Sequence, residues 1–174
     1  MPRRLSLPIA GGLALAATSL AAAPACVTEA EARSLATFAL PAAIETVASR
    51  CATVLPGSDW LARGGAPLAT RYRKDGGGAV GPALSAVERL LGQRMPTFLD
   101  GGTMQRIAEG AIAERVSSAV KLADCAAISR VAEHLSPLPL ANAAALIVAL
   151  IQLDPKTARA GLSICPAGAT GKAG

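Results

Sequence analysis

Four cysteines carry most of the chemistry this chain has available: Cys26, Cys51, Cys125 and Cys165. A thiol can ligate a metal, attack an electrophile, cycle in a redox pair or close a disulfide, and its spacing and neighbours separate these uses. The sequence has no C-x-x-C, and His134 is its single histidine, so neither a zinc site nor a thioredoxin-like redox centre has its usual ligands. An even number of widely spaced cysteines leaves two structural disulfides as the expected use of all four.

The remaining reactive side chains point to no catalytic constellation. His134 stands beside Glu133 near the end of a helical pattern, where the helix dipole favours a cation. As a general base it would need a nucleophile to serve. Ser85, Ser117, Ser118 and Ser129 fall within helical patterns, and no G-x-S-x-G occurs. The triplet Gly76-Gly77-Gly78 follows no strand and lacks the G-K-[ST] ending of a phosphate cradle, so it reads as a linker. Asp100-Gly101-Gly102 reads as a turn and cap. Arg71, Tyr72, Arg73 and Lys74 form the densest basic cluster and are the candidate partner-binding residues, suited to an acidic protein or envelope surface. The chain is read as a non-enzyme without cofactor or metal.

Two flanking features place this chemistry in a compartment. Residues 1–25 run from a basic head with Arg3 and Arg4, through an apolar middle, to Ala23-Pro24-Ala25. That order is a secretory signal peptide with an A-x-A site, which makes Cys26 the first residue of the exported protein. Arg3-Arg4 also resembles a twin-arginine signal, although Ser6 and Pro8 stand where that motif prefers Phe and Lys. A lipid anchor on Cys26 is the alternative; Ala23 replaces the Leu usual three residues before such a site, and three cysteines would be left. The expected location is periplasmic or secreted, the alanine-rich signal fitting a bacterial envelope.

Composition narrows the function further. Loss of Arg3 and Arg4 with the signal lowers the formal charge from +5 to +3, so basicity gives no case for nucleic acid. Aromatic residues make up 2% of the chain, too few for the stacking platforms that hold single strands or sugars. Hydrophobic residues reach 52%, carried largely by alanine, which favours helix yet buries little area per residue. Two disulfides, each contributing on the order of 2–4 kcal/mol, would support so thin a core.

The elements that must position the cysteines are helical. Thr28 and Glu31 make a capping box that starts a helix at about residue 29. Leu35 and Phe38, then Ile44, Val47, Cys51 and Val54, recur at three- and four-residue intervals, and Pro41 between them lacks a turn residue. One kinked helix over 29–55 is therefore expected, with Cys51 facing inward. Pro56-Gly57 ends it, with a short turn holding Trp60. Residues 63–81 read as a Gly-rich basic loop. A helix near Pro82 should bury Leu84, Val87 and Leu91, leaving Glu88, Arg89 and Gln93 outside. Thr103 is the expected cap of a pattern over 104–135, either one helix or two meeting near Asp124. Residues 140–153 are apolar on nearly every side and read as the central helix of a bundle, too short to span a bilayer. Asp154-Pro155 should open a last helix with Ala158, Leu162 and Cys165 on one face.

The fold class is thus all-α: a compact, Ala-rich helical bundle stapled by two disulfides, with a signal peptide over 1–25, the helical domain over 26–165 and a flexible tail over 166–174. If residues 29–55 form one helix, Cys26 and Cys51 lie about 30 Å or more apart at about 1.5 Å per residue, beyond the ~7 Å that a disulfide tolerates. Cys26 and Cys51 should each join the C-terminal half, with the choice between Cys125 and Cys165 left open. The functional expectation is an exported, non-enzymatic helical envelope or interaction protein, not integral to the membrane. The alternative is a periplasmic carrier of a small apolar ligand held between helices.

Overall fold

The first helix, α1 (Glu29–Cys51), is held at its start by the expected box: the Thr28 N–H donates to the Glu31 carboxylate at 2.8 Å, and the Glu31 N–H donates to Thr28 Oγ1 at 3.3 Å. The helix runs through Pro41, which is buried, and gives way to turns at 52–54. Pro41 has no N–H for the Thr37 carbonyl. That carbonyl lies beside Gly76, where an added Cβ would stand 3.5 Å from it.

The computed structural model describes residues 26–91, 100–153 and 164–165. Among these, five further helices follow: α2 (Trp60–Asp75), α3 (Val80–Leu91), α4 (Gly101–Ala119), α5 (Cys125–Leu135) and α6 (Leu140–Leu153), with no strand. The first-half pairings set their directions. Gly65 lies against Ala48 while Gly76 lies against Thr37, so α2 runs antiparallel to α1. Arg89 reaches back to Glu31 from α3, and Val148 of α6 lies by Ala32 while Leu140 lies by Leu40, so both also run against α1. Arg50 Nε donates to the Val120 carbonyl at 2.9 Å, which places the ends of α1 and α4 together and makes that pair parallel.

Three apolar clusters are strung along α1. Val27, Ala32 and Val148 close its start; Leu40, Leu68, Tyr72, Leu140, Ala143 and Ala144 surround its middle; Cys51, Leu61, Cys125 and Ala132 form its end. The α1 helix is thus the centre of the bundle, packed against α2, α3, α4 and α6 and touching α5. This corrects the expectation for residues 140–153. The inner face of α6 consists of Leu140, Ala143, Ala144 and Val148, while Leu146, Leu150 and Leu153 are 43%, 56% and 79% exposed. Small Ala143 and Ala144 allow the close approach to Tyr72 and Leu40; hydropathy alone could not say which face of an all-apolar helix goes inward.

Both disulfides form, and each joins the N-terminal half to the C-terminal half as expected: Cys26 with Cys165, and Cys51 with Cys125. Their loops nest, 139 and 74 residues apart in sequence. Cys165 is not presented by a helical face: Ile164 makes an isolated parallel bridge with Val27, and the Cys165 N–H donates to the Val27 carbonyl at 2.8 Å. The rest of the expected last helix, the signal segment over 1–25 and the tail over 166–174 lie outside the described residues.

The stretch read as a Gly-rich loop is mostly helix. Asp59 caps α2 by accepting from the Leu61 N–H at 3.0 Å, and Leu61, Gly65, Leu68, Ala69 and Tyr72 recur at helical spacing on its inner side. Pro67, inside the helix, faces solvent. Packing outweighs the penalty of about 1 kcal/mol for each glycine and about 3 kcal/mol for proline in a helix interior. Gly65 is required by that packing, since a Cβ there would meet the Ala48 Cβ at 2.9 Å. Gly76 ends the helix and Gly77–Ala79 make one 3₁₀ turn leading directly into α3. In α3 the innermost residues are Ala83 and Ala86, with Leu84 and Val87 half-buried and Arg89 drawn in by Glu31. Asp100, not Thr103, caps α4, accepting from the Thr103 N–H at 2.9 Å. The pattern over 104–135 divides into α4 and α5 around a 3₁₀ turn at Leu122–Asp124.

Candidate functional site: an apolar cleft over the central helix

The α4 helix rests chiefly on α1 and packs there loosely. Its apolar stripe, Met104, Ile107, Ala108, Ala111 and Ile112, follows the i, i+3, i+4, i+7, i+8 pattern of a core-facing helix. Of these five, Met104 is buried, while Ile107 remains 56% exposed. The stripe does not seat in a filled interface. It forms one wall of a cleft of about 760 Å³.

The other walls come from three directions. Helix α1 supplies Leu35, Phe38, Ala39 and Ala43 among others, α3 supplies Val87 and Leu90, and α6 supplies Ile147, Val148 and Ile151. Ile164, beside the outer disulfide, closes one end. Every lining residue among those described is apolar except Arg115. The volume falls within the roughly 300–1,000 Å³ typical of small-molecule sites. Apart from Arg115, the described walls of this hollow offer water no hydrogen-bonding side chain, so it favours an apolar occupant.

A second depression, of about 630 Å³, lies between the last turns of α1 and α4 and is lined by Glu45, Thr46, Ser49, Arg50, Thr53, Ser117 and Leu122. It is open to solvent, and several of its polar groups are already engaged. Thr46 donates to the Ala42 carbonyl at 2.7 Å, Thr53 to the Arg50 carbonyl at 2.9 Å, and Arg50 to Val120. Glu45 forms a two-pronged pair with Arg73 at 2.7 and 2.9 Å. The Arg73 hydrogen bonds hold the Glu45 carboxyl below its ordinary value of 4.5 and raise the arginine in turn.

The basic cluster is dispersed by the helix that carries it. Tyr72 is wholly buried, and its hydroxyl lies 3.1 Å from both the Leu135 and Leu138 carbonyls. Arg73 faces Glu45 on α1; Arg71 donates to the Ser136 carbonyl and lies over the Tyr72 ring; Lys74 is exposed. Of the four, Arg71 and Lys74 alone lie open on the surface.

His134 is exposed in the last turn of α5. Ser129, one turn back, is buried; its hydroxyl donates to the Asp59 carboxylate and accepts from the Leu61 N–H at 3.2 Å. It joins α5 to the start of α2 and is a packing residue. Asp100, fully exposed, is held below its ordinary value first by the Thr103 hydroxyl and then by backbone N–H groups of its cap. Among the described residues no three His, Cys, Asp or Glu side chains converge as a metal site, and no helix is long and apolar enough to cross a membrane.

From sequence, Leu35, Phe38 and Val87 read as core-facing, and the cleft residues of α4 carry no mark that sets them apart. Their signal was the α4 stripe within "MQRIAEGAIAERV", which is indistinguishable in sequence from the face of a fully packed helix. No protein-family model matches the chain, and neither a curated protein nor a solved structure shows detectable similarity to it.

Proposed function

We propose that this chain is an exported, non-enzymatic binder of a small apolar molecule, which it carries in the cleft among α1, α3, α4 and α6. The observation that carries this reading is the cleft itself: about 760 Å³, its walls apolar among the described residues apart from Arg115. Among the described residues the walls carry no nucleophile, acid or base, which favours holding a molecule over transforming it. Export is supported by the signal-like order of residues 1–25 and by the engagement of all four cysteines in disulfides, bonds that persist in oxidising compartments.

The test is fluorescence enhancement of N-phenyl-1-naphthylamine, a neutral apolar probe, on titration with the protein. Saturable enhancement at a one-to-one ratio is expected, with loss of the signal in A108F, which fills the cleft from α4. Absence of saturable binding to the folded wild type would end the carrier reading.

The expectation of a protein-binding role keeps one observation of its own. Leu146, Leu150 and Leu153 lie at i, i+4, i+7 on the outer side of α6 and are exposed. A partner protein using them would be lost on L150K, with binding in the cleft preserved.

A further inference from the structure

The cleft has one charged end. Arg115 continues the stripe that lines it, since Met104, Ala108, Ala111 and Arg115 follow the 4, 3, 4 spacing of one helical face. At about 1.5 Å per residue Arg115 stands roughly 16 Å along α4 from Met104. Because α4 runs parallel to α1, this is the end toward Ala43, away from Ala32 and Ile164. Arg115 is exposed while lining the cleft, the position in which an arginine lays its methylene stem on apolar surface and keeps its head in water.

The guanidinium is also uncommitted. Arg33, Arg73 and Arg89 pair with Glu29, Glu45 and Glu31; Arg50 and Arg71 donate to carbonyls; Arg106 donates to the Thr103 hydroxyl. Arg115, like Arg63 and Arg130, makes no such contact among the described residues, and of these three it is the one that lines the cleft. Glu114 precedes it by one position and so points about 100° away around the helix. Glu109 accepts from Gln105 at 2.8 Å, and Glu45, the carboxylate of α1 on this side, is taken by Arg73. An apolar tract that ends at a free, forked cation is complementary to a chain with an anionic head.

Resting on the carrier reading, we propose that the ligand is a free fatty acid, its acyl chain lying along the α4 stripe and its carboxylate accepting two N–H bonds from Arg115. The planar guanidinium fork matches a carboxylate edge to edge, and charge-assisted pairs of this type are the stronger hydrogen bonds. The single guanidinium balances the single charge of a carboxylate.

The experiment displaces N-phenyl-1-naphthylamine from wild type, R115Q and R106Q with three twelve-carbon ligands at pH 8: laurate, dodecanol and dodecyl phosphate. Wild type should bind laurate about ten-fold more tightly than dodecanol, corresponding to about 1.4 kcal/mol. R115Q should bring that ratio to about one, and R106Q, altered on the same helix outside the cleft, should keep it. Equal binding of laurate and dodecanol by wild type, or an unchanged ratio in R115Q, overturns the fatty-acid proposal while the carrier reading stands. Marked preference for dodecyl phosphate over laurate likewise overturns it, assigning the site to a phosphate-headed lipid. Failure of the fluorophore to bind wild type overturns both readings.

Discussion

Removing one disulfide at a time should separate two linkages that look equivalent in sequence. The inner bridge, Cys51–Cys125, spans 74 residues, and the chain-entropy relation gives about 4.4 kcal/mol for that ring at 25 °C. The outer bridge, Cys26–Cys165, spans 139 residues, which alone would give about 5 kcal/mol. The rings nest, however. With the inner bridge intact its 74 residues are bypassed, so the outer bridge closes a ring of about 65 residues and contributes about 4.3 kcal/mol. Both orders of closure must give the same total, so with the outer bridge intact the inner one contributes about 3.7 kcal/mol, and on entropy the outer pair is slightly the larger. Packing decides between them: Cys51 and Cys125 are 0% and 1% exposed and form a cluster with Leu61 and Ala132, whereas Cys26 is half-buried. Deleting the inner sulfur atoms leaves a void in the core, adding about 1 kcal/mol or more. We therefore expect C51A/C125A to lose about 5 kcal/mol and C26A/C165A about 4 kcal/mol in urea unfolding followed by circular dichroism, each with an unchanged wild-type reference. Titration of the native protein with a phosphine reductant in the presence of iodoacetamide should reduce the outer bridge first, leaving Cys26 and Cys165 alkylated before Cys51 and Cys125. An outer pair more costly than the inner one, or a loss below about 1 kcal/mol for the inner pair, would refute the reasoning.

Two further outcomes follow from single contacts. Tyr72→Phe should lower stability by about 1 kcal/mol, read as a shift in the urea midpoint without a change in slope, because one hydroxyl proton serves two buried-side carbonyls that lose it together. The Glu45–Arg73 pair should contribute below about 1 kcal/mol, since both side chains are about 40% exposed. Its sign with pH is fixed by the lowered Glu45 carboxyl: the contribution is full above the ordinary carboxylate value and fades as pH falls through the lower folded value. Glu45→Gln should therefore match wild type in acid and fall below it near neutrality, by comparison of urea midpoints across pH.

The sequence made the fold class and the broad disulfide logic legible through two signals that depend on chain geometry alone. The capping box and the absence of a turn residue at Pro41 made α1 one rod, and a rod of that length cannot bring Cys26 to Cys51. Composition misled where residues of poor helix propensity sit on an outward or close-packed face. Gly64, Gly65 and Pro67 suggested a loop in α2, although Leu61, Leu68 and Tyr72 already carried helical spacing. Tyr72 stands in sequence among basic residues as though in a surface patch, but adjacent residues on a helix point about 100° apart, so a run of four cannot form one patch. The cleft was not legible because apolar periodicity marks a face as inward without saying how fully the opposite wall meets it.

The outer disulfide and the cleft meet at Ile164, and this ties stability to binding. An Ala-rich bundle gains little area per buried residue, and leaving a hollow of about 760 Å³ forgoes still more contact. The covalent links offset that loss. Ile164 lines the cleft at the end opposite Arg115, held by the bridge to Val27 and by the adjoining Cys26–Cys165 bond. Val27, Ala32 and Val148 pack around the same point. Releasing the outer bond should free Ile164 and open the apolar end of the cleft, weakening every ligand by a similar factor, about three- to ten-fold for the loss of part of one buried side-chain contact of roughly 1 kcal/mol. The charged end would be untouched, so the ratio of laurate to dodecanol should stay where wild type has it. C51A/C125A, measured well below its unfolding midpoint, should keep both affinity and ratio, because the inner bridge lies at the far end of α1 among residues that do not line the cleft. Displacement titrations on the two double variants decide this. Equal weakening by both would mean that the cleft responds to global stability alone, and that the outer bridge has no particular place in closing it.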